Sequence, residues 1–197
     1  MIYPIVPYGQ PVLRKQAAEV PADYPDLPRL VADMFETMAV SGGVGLAAPQ
    51  IDLSLRLFVV DIPPIQLEDG PSAGKTTPAE PFRKAFINPQ LLSEEGEPWG
   101  FDEGCLSFPG LYETVYRKPI IHVRYQDENF QWHEATYDGY VARVFQHEYD
   151  HIEGKVFVDH LSTLRRAMLK KRLDKIAQGD VRVDYRMKWD VAKKKKS

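Results

Sequence analysis

Apolar positions recur at helical spacing between residues 25 and 43. In PDLPRLVADMFETMAVSGG, Leu30, Met34, Phe35 and Met38 share one face of a 3.6-residue repeat. Asp26 stands where an N-terminal cap belongs, and Gly42 and Gly43 end the run. The next pattern differs. LRLFVVDI, residues 55–62, is a continuous apolar run of the kind a buried strand shows. The stretch 63–82, PPIQLEDGPSAGKTTPAEPF, is polar and broken by Pro and Gly, which predicts a long surface loop over 67–82. KAFINP, residues 84–89, predicts a short strand. IIHVRYQDENFQWHEATYD, residues 120–138, predicts a hairpin that turns near Asp127 to Asn129.

The helical period returns over 139–152. Val141, Val144 and Phe145 form its apolar side, His147 and Ile152 lie close by, and Gly154 ends it. A last helix is expected after Ser162, with Leu164, Met168, Leu169 and Leu173 inward and Arg165, Arg166, Lys170, Lys171 and Arg172 outward. Residues 187–197, which include KKKKS, are expected to form a flexible tail. No repeat or shift in composition marks a boundary, so residues 1–197 are expected to form a single domain.

Composition narrows the class. Of 197 residues, 44% are hydrophobic and 27% charged, which suits a globular chain. A net charge of −3 gives no reason to expect non-specific nucleic-acid binding by the whole molecule. The single cysteine, Cys105, rules out an intramolecular disulfide and fits a reducing compartment. MIYPIVPYGQPVLRK has no basic segment followed by an apolar one, so no signal peptide is read there. No apolar run approaches the roughly 20 residues that span a bilayer. A soluble, cytoplasmic, monomeric protein is expected.

The chemistry is concentrated in QHEYDHIEG, residues 146–154. On a helix, His147 and His151 lie one above the other and can ligate one ion together. Glu148 is rotated by roughly 100° from His147, so it can reach a water at the ion without being a ligand. That is the His-Glu-x-x-His arrangement of metal-dependent hydrolases, with Glu as general base. The plainer reading is a solvated helix face with two incidental histidines. A catalytic site needs a third protein ligand. His122, His133, His160, Cys105 and several carboxylates all remain open, and a lone cysteine is more often a small buried apolar residue.

Three stretches resemble the signature motifs of the peptide deformylases: GVGLAAPQ at 43–50, EGCLS at 103–107 and QHEYDH at 146–151, in that order. GQPVLRKQAAEV at 9–20 and ARVFQHE at 142–148 are similar to that family too. The resemblance implies an α+β fold, with antiparallel β-sheets around a central metal-binding helix and a C-terminal helix. It implies removal of the formyl group from the N-formylmethionine of nascent polypeptides, releasing formate. The implied ligands are Cys105, His147 and His151, around Fe2+ as the native metal, with Zn2+, Ni2+ or Co2+ as possible replacements. Glu148 is the implied proton carrier between water and the departing amine. Gln50 and the N–H of Leu106 are the implied donors to the oxyanion.

The remaining expectations concern substrate and support. Gly43 and Gly45 allow a tight backbone beside an extended peptide, which would hydrogen-bond near Val44 and Gly104. Val44, Tyr140 and Val144 are candidates for the methionine pocket, and all three suit plain core equally. Glu103 and Arg117 are expected to pair and hold Cys105 in place. Asp150 either orients an imidazole, caps a neighbouring segment or lies exposed. Arg165, Arg166, Lys170, Lys171, Arg172 and Lys175 give the last helix a basic face, which suits ribosomal RNA as the family's bacterial members use it, or simply solvent. Two rivals share part of the pattern. A zinc protease of the His-Glu-x-x-His type would need neither Cys105 nor GVGLAAPQ. A non-catalytic metal-binding or ribosome-binding module would not need Glu148.

Overall fold

The computed structural model describes residues 1–64 and 80–189. Helix α1, Leu27–Val40, is followed by strands β1, Gly45–Ala47, and β2, Leu57–Ile62. Then come β3, Phe82–Glu95, the pair β4, Trp99–Gly104, and β5, Tyr112–Arg117, and the pair β6, Ile120–Gln126, and β7, Trp132–Asp138. Helix α2, Gly139–Ile152, and helix α3, Thr163–Gln178, complete the order. Five strands form an antiparallel sheet in the order β1-β2-β3-β6-β7, and β4-β5 forms a separate two-stranded sheet. The expected α+β architecture around a central helix is the one observed.

The apolar run of β2 has a direct cause. Leu57 and Val59 face the cluster built on α1, while Phe58, Val60 and Ile62 face the cluster built on α2. The strand is covered on both sides, so it shows no alternation. Phe58, Phe86 and Phe145 meet with ring centroids 5.0–5.1 Å apart and lock α2 to the sheet. Burying each such side chain stabilises the fold by roughly 1.5–3 kcal/mol.

Several expectations need correction. The short strand at 84–89 is the start of a 14-residue strand. Asn88 adopts a positive φ of 49° and the register slips around it, so β3 bends. Its first half pairs with β2 and its second with β6. Asn88 and Pro89 read as a terminus because a bulge and a strand end use the same residues. Asp26 sits at the cap position of α1 but makes no side-chain capping bond. In α3, Leu164 and Met168 are 73% and 67% exposed, and Leu169, Leu173 and Ile176 supply the buried stripe. Residues 187–189 are not a free tail, because Met187 bridges Ile5 and the Trp189 indole N–H donates to the Ile176 carbonyl at 2.8 Å. The rest of that segment, with KKKKS, lies outside the described residues, as does most of the expected 67–82 loop, though Phe82 opens β3.

Candidate active site

Helix α2 is buried on almost every side. Val141, Val144, Phe145 and Ile152 pack with the second core cluster, but Arg143, Gln146, His147, Glu148, Asp150 and His151 are buried too. Buried polar groups need partners, and the β4-β5 sheet supplies most of them. Glu103 on β4 accepts from Arg117 Nε at 2.7 Å and Nη2 at 3.0 Å, from Arg143 Nη1 at 2.9 Å and pairs with His147 Nδ1 at 2.9 Å. Arg117 also donates to Asp150 Oδ2 at 2.8 Å. The expected Glu103–Arg117 pair therefore exists, and it extends to His147 itself. Asp150 is buried, not exposed, and the imidazole it orients belongs to His160, at 2.7 Å.

The His147 and His151 rings lie 5.2 Å apart, edge to face. Cys105, at the end of β4, brings Sγ to 3.3 Å from His151 Nε2. One ligand atom from each of the three lies within 4.8 Å of the others, the one such cluster among the described residues. The other histidines are engaged elsewhere: His122 with Thr136, His133 with Asp127 and His160 with Asp150. Two imidazoles and a thiolate suit zinc or a similar divalent transition metal. Glu148 Oε2 is buried without a hydrogen-bond partner, as is His151 Nδ1. An orphaned carboxylate oxygen beside one thiol and two imidazoles fits a centre that binds a cation and water.

The electrostatics agree with that use. Burial, helped by charge on His147, pushes His151 down to about 3, so its ring is neutral as a ligand must be. Burial opposes charge on His147 as well, but its bonds with Cys105 and Glu103 win and raise it well above the ordinary value. A cation bound at this centre would compete with that proton. Burial pushes Glu148 up to about 7. Glu103 is buried yet stays well below the usual carboxylate range, held there by His147 and Arg117.

Gln50 lies in a short 3-10 turn, Ala48–Ile51, and is buried. Its Oε1 accepts the Ala47 N–H at 2.8 Å, which turns Nε2 toward Cys105 Sγ and Ser107 Oγ, each at 3.4 Å. Gly45 explains itself by contact, since a Cβ there would meet Glu148 Cγ and Cδ at 2.8 Å. At Gly104 a Cβ would meet the Tyr112 ring at 2.5 Å.

These groups open onto a cleft of about 430 Å³. Gly43, Val44, Gly45, Gln50, Gly104, Cys105, Leu106, Tyr140, Val144, His147 and Glu148 all line it, so the residues singled out from sequence converge, with His151 set just behind. Phe101, Leu111, Tyr112, Arg143 and Tyr185 also line it and were missed. Arg143 carried a signal, being four residues before His147 on the same helix face. Tyr185 carried none.

Antiparallel sheets wrapped about a helix that presents His147, Glu148 and His151 to a cysteine define a metal-dependent hydrolase. A sequence model of the family described as polypeptide deformylase matches residues 2–167. The chain is 50% identical over 188 residues to the peptide deformylase of Flavobacterium psychrophilum, covering 95% of this chain and 97% of that protein. It is 48% identical over 193 residues to that of Cytophaga hutchinsonii, covering 98% and 100%. The crystal structure of a peptide deformylase from Legionella pneumophila superposes with a TM-score of 0.75 at 40% identity, covering 92% of this chain and 99% of that one. That from Ehrlichia chaffeensis gives 0.79 at 31%, covering 91% and 99%. The chain belongs to the polypeptide deformylase family. Its reaction is the metal-dependent removal of the N-formyl group from nascent peptides.

Proposed function

We propose that Cys105, His147 and His151 hold one divalent metal, natively Fe2+, and that Glu148, Gln50 and the Leu106 N–H carry the reaction. The observation behind this is the approach of the three donor atoms to within 4.8 Å beside the unpartnered Glu148 Oε2. A divalent metal bound there supplies Lewis acidity and makes water acidic enough to lose a proton near neutral pH. Glu148 accepts that proton and returns it to the departing amine. Burial raises the affinity of that carboxylate for a proton, which suits a group that must hold one between the two transfers. Gln50 Nε2, already aimed at Cys105, and the Leu106 N–H donate to the formyl oxygen as it becomes negative.

The substrate lies extended between two strands with a free side. Among the described residues, β1 pairs only with β2, and β4 only with β5. A peptide added as a strand would run beside Gly104 and Val44, whose carbonyl already accepts from the Asp61 N–H at 2.9 Å. Gly43 and Gly45 keep that approach clear, and the methionine side chain goes among Val44, Tyr140 and Val144, which line the cleft. Residues 1–197 are read as one catalytic domain that acts as a monomer in the cytoplasm; among the described residues no helix is long and apolar enough to cross a membrane.

Helix α3 is the proposed contact with ribosomal RNA. Its free charge is smaller than the sequence count, because Arg165 pairs with Glu113, Lys170 with Asp174 and Lys175 with Asp180. Reversal of Arg166, Lys170 and Lys175 to Glu tests the contact by co-sedimentation with ribosomes at low salt. Unchanged sedimentation ends it. For the site itself, the test is metal analysis of protein purified without oxygen, paired with a formyl-Met-peptide assay. Absence of formate release, or activity independent of metal, overturns the reading.

A further inference from the structure

The segment after α3 returns to the active cleft. The Ile5 N–H donates to the Arg186 carbonyl at 2.8 Å, and the Lys188 N–H donates to the Ile5 carbonyl at 2.8 Å. With the Trp189 anchor on Ile176, this pairing clamps Tyr185 in place. Its half-buried ring packs against the first core cluster and lines the cleft, and its hydroxyl donates to the Leu106 carbonyl at 2.7 Å. Tyr185 lies beyond the residues 2–167 matched by the family model, so nothing in that match assigns it a role.

The turn that follows β4 carries three successive carbonyls, each with a donor. The Cys105 carbonyl accepts from the Phe108 N–H at 2.8 Å, and the Ser107 carbonyl from the Tyr8 N–H at 2.8 Å. Those donors are backbone groups that no side-chain substitution removes. The middle carbonyl, that of Leu106, takes its bond from the Tyr185 side chain. The Leu106 N–H shares a rigid peptide plane with the Cys105 carbonyl, and the Leu106 carbonyl belongs to the next plane. With both planes tied, the residue between them has little freedom to rotate.

We propose that Tyr185 is a positioning residue for the reaction: by holding the Leu106 carbonyl it fixes the direction of the Leu106 N–H, and so the alignment of a donor to the developing oxyanion. The inference rests on the assignment of that N–H as a donor. A donor that contributes in the transition state affects turnover more than substrate binding.

The test is Tyr185→Phe, which keeps the ring and its packing and removes only the hydroxyl. On a formyl-Met peptide, kcat should fall about three- to tenfold, the range of one neutral hydrogen bond, with KM and metal content close to the parent's. Amide hydrogen exchange at Phe108 and Tyr8, whose N–H groups bond the Cys105 and Ser107 carbonyls of the turn, should speed up. A kcat equal to the parent's, or a loss confined to KM, overturns the proposal. A parent protein without deformylase activity would sink the functional reading instead. The exchange measurement still decides in that case, since unchanged protection at Phe108 and Tyr8 shows that Tyr185 does not hold the turn.

Discussion

Replacing Glu103 with Gln changes one oxygen to nitrogen and tests the whole support of the centre. Four donors converge on the Glu103 carboxylate: Arg117 Nε and Arg143 Nη1 on Oε1, Arg117 Nη2 and His147 Nδ1 on Oε2. An amide offers one acceptor, so whichever way the Gln side chain is turned, its NH2 faces two former donors. Each lost bond to a charged group is worth about 1.5–3 kcal/mol. Two give about 3–6 kcal/mol, in line with the roughly 3–5 kcal/mol cost of leaving a buried charge without its partner. For a chain of this length that corresponds to a fall in Tm of about 6–24 °C. A second effect follows at His147. Where the Gln turns its NH2 toward Nδ1, that nitrogen becomes the acceptor, one bond is reversed rather than lost, and the proton moves to Nε2, the only nitrogen left for a metal; where it turns its oxygen there, the whole loss falls on the two arginine bonds instead. Losing such a support of a ligating histidine costs roughly 10–100-fold in metal affinity. Thermal unfolding with metal removed by chelator isolates the first effect, and competition against a chelator of known affinity measures the second. A variant within 1 kcal/mol or so of the parent in stability and within twofold in metal affinity would refute the argument.

Glu148→Ala should keep the metal and lose turnover by about 10²–10⁴-fold; metal analysis with steady-state kinetics checks it, and a near-normal rate removes Glu148 as the proton carrier. Cys105→Ser should lower metal occupancy, because thiolate is the better ligand for a soft or borderline ion; full occupancy in Cys105→Ala would place the third ligand elsewhere. His122, His133 and His160, each bonded away from the centre, should be replaceable without metal loss. The iron-loaded protein should lose activity in air faster than the zinc-loaded one, since a ferrous ion beside a thiolate invites oxidation; equal decay of the two would move the weak point away from the metal.

Much of the fold was legible where one force acted alone. The ends of α2 at residues 139 and 152 follow from a clean apolar stripe and from Gly154, whose φ of 72° favours glycine. The hairpin at 120–138 follows from alternation, with Ile121, Val123 and Tyr125 all inward. What was not legible has a common cause, namely burial of groups that look as if they belong in water. In β5 the inward positions are Glu113, Val115 and Arg117, so the strand alternates correctly but with charges on the inside. In α3 the same ambiguity ran the other way, and Leu164 and Met168 were placed inward although they are exposed.

The site shows why those charges are inside. A helix that must carry two histidines and a glutamate to one centre cannot also be apolar on that side, so the neighbouring sheet has to be polar as well. Arg143 lies four residues before His147 and reaches Glu103, the same carboxylate that bonds His147 Nδ1. Arg117 ties that carboxylate to Asp150, one residue before His151. The two histidines are therefore referenced to one ionic frame, and Cys105 follows two residues after Glu103 on the same strand end. On the opposite side Gly45 leaves room for the Glu148 side chain at a distance no Cβ would tolerate. Motifs more than forty residues apart meet here because each gives up a property its own element would prefer: a side chain at Gly45, an apolar face on β4-β5, and an apolar second face on α2. Local patterns weaken at the residues that make those concessions, and the chemistry gathers around them.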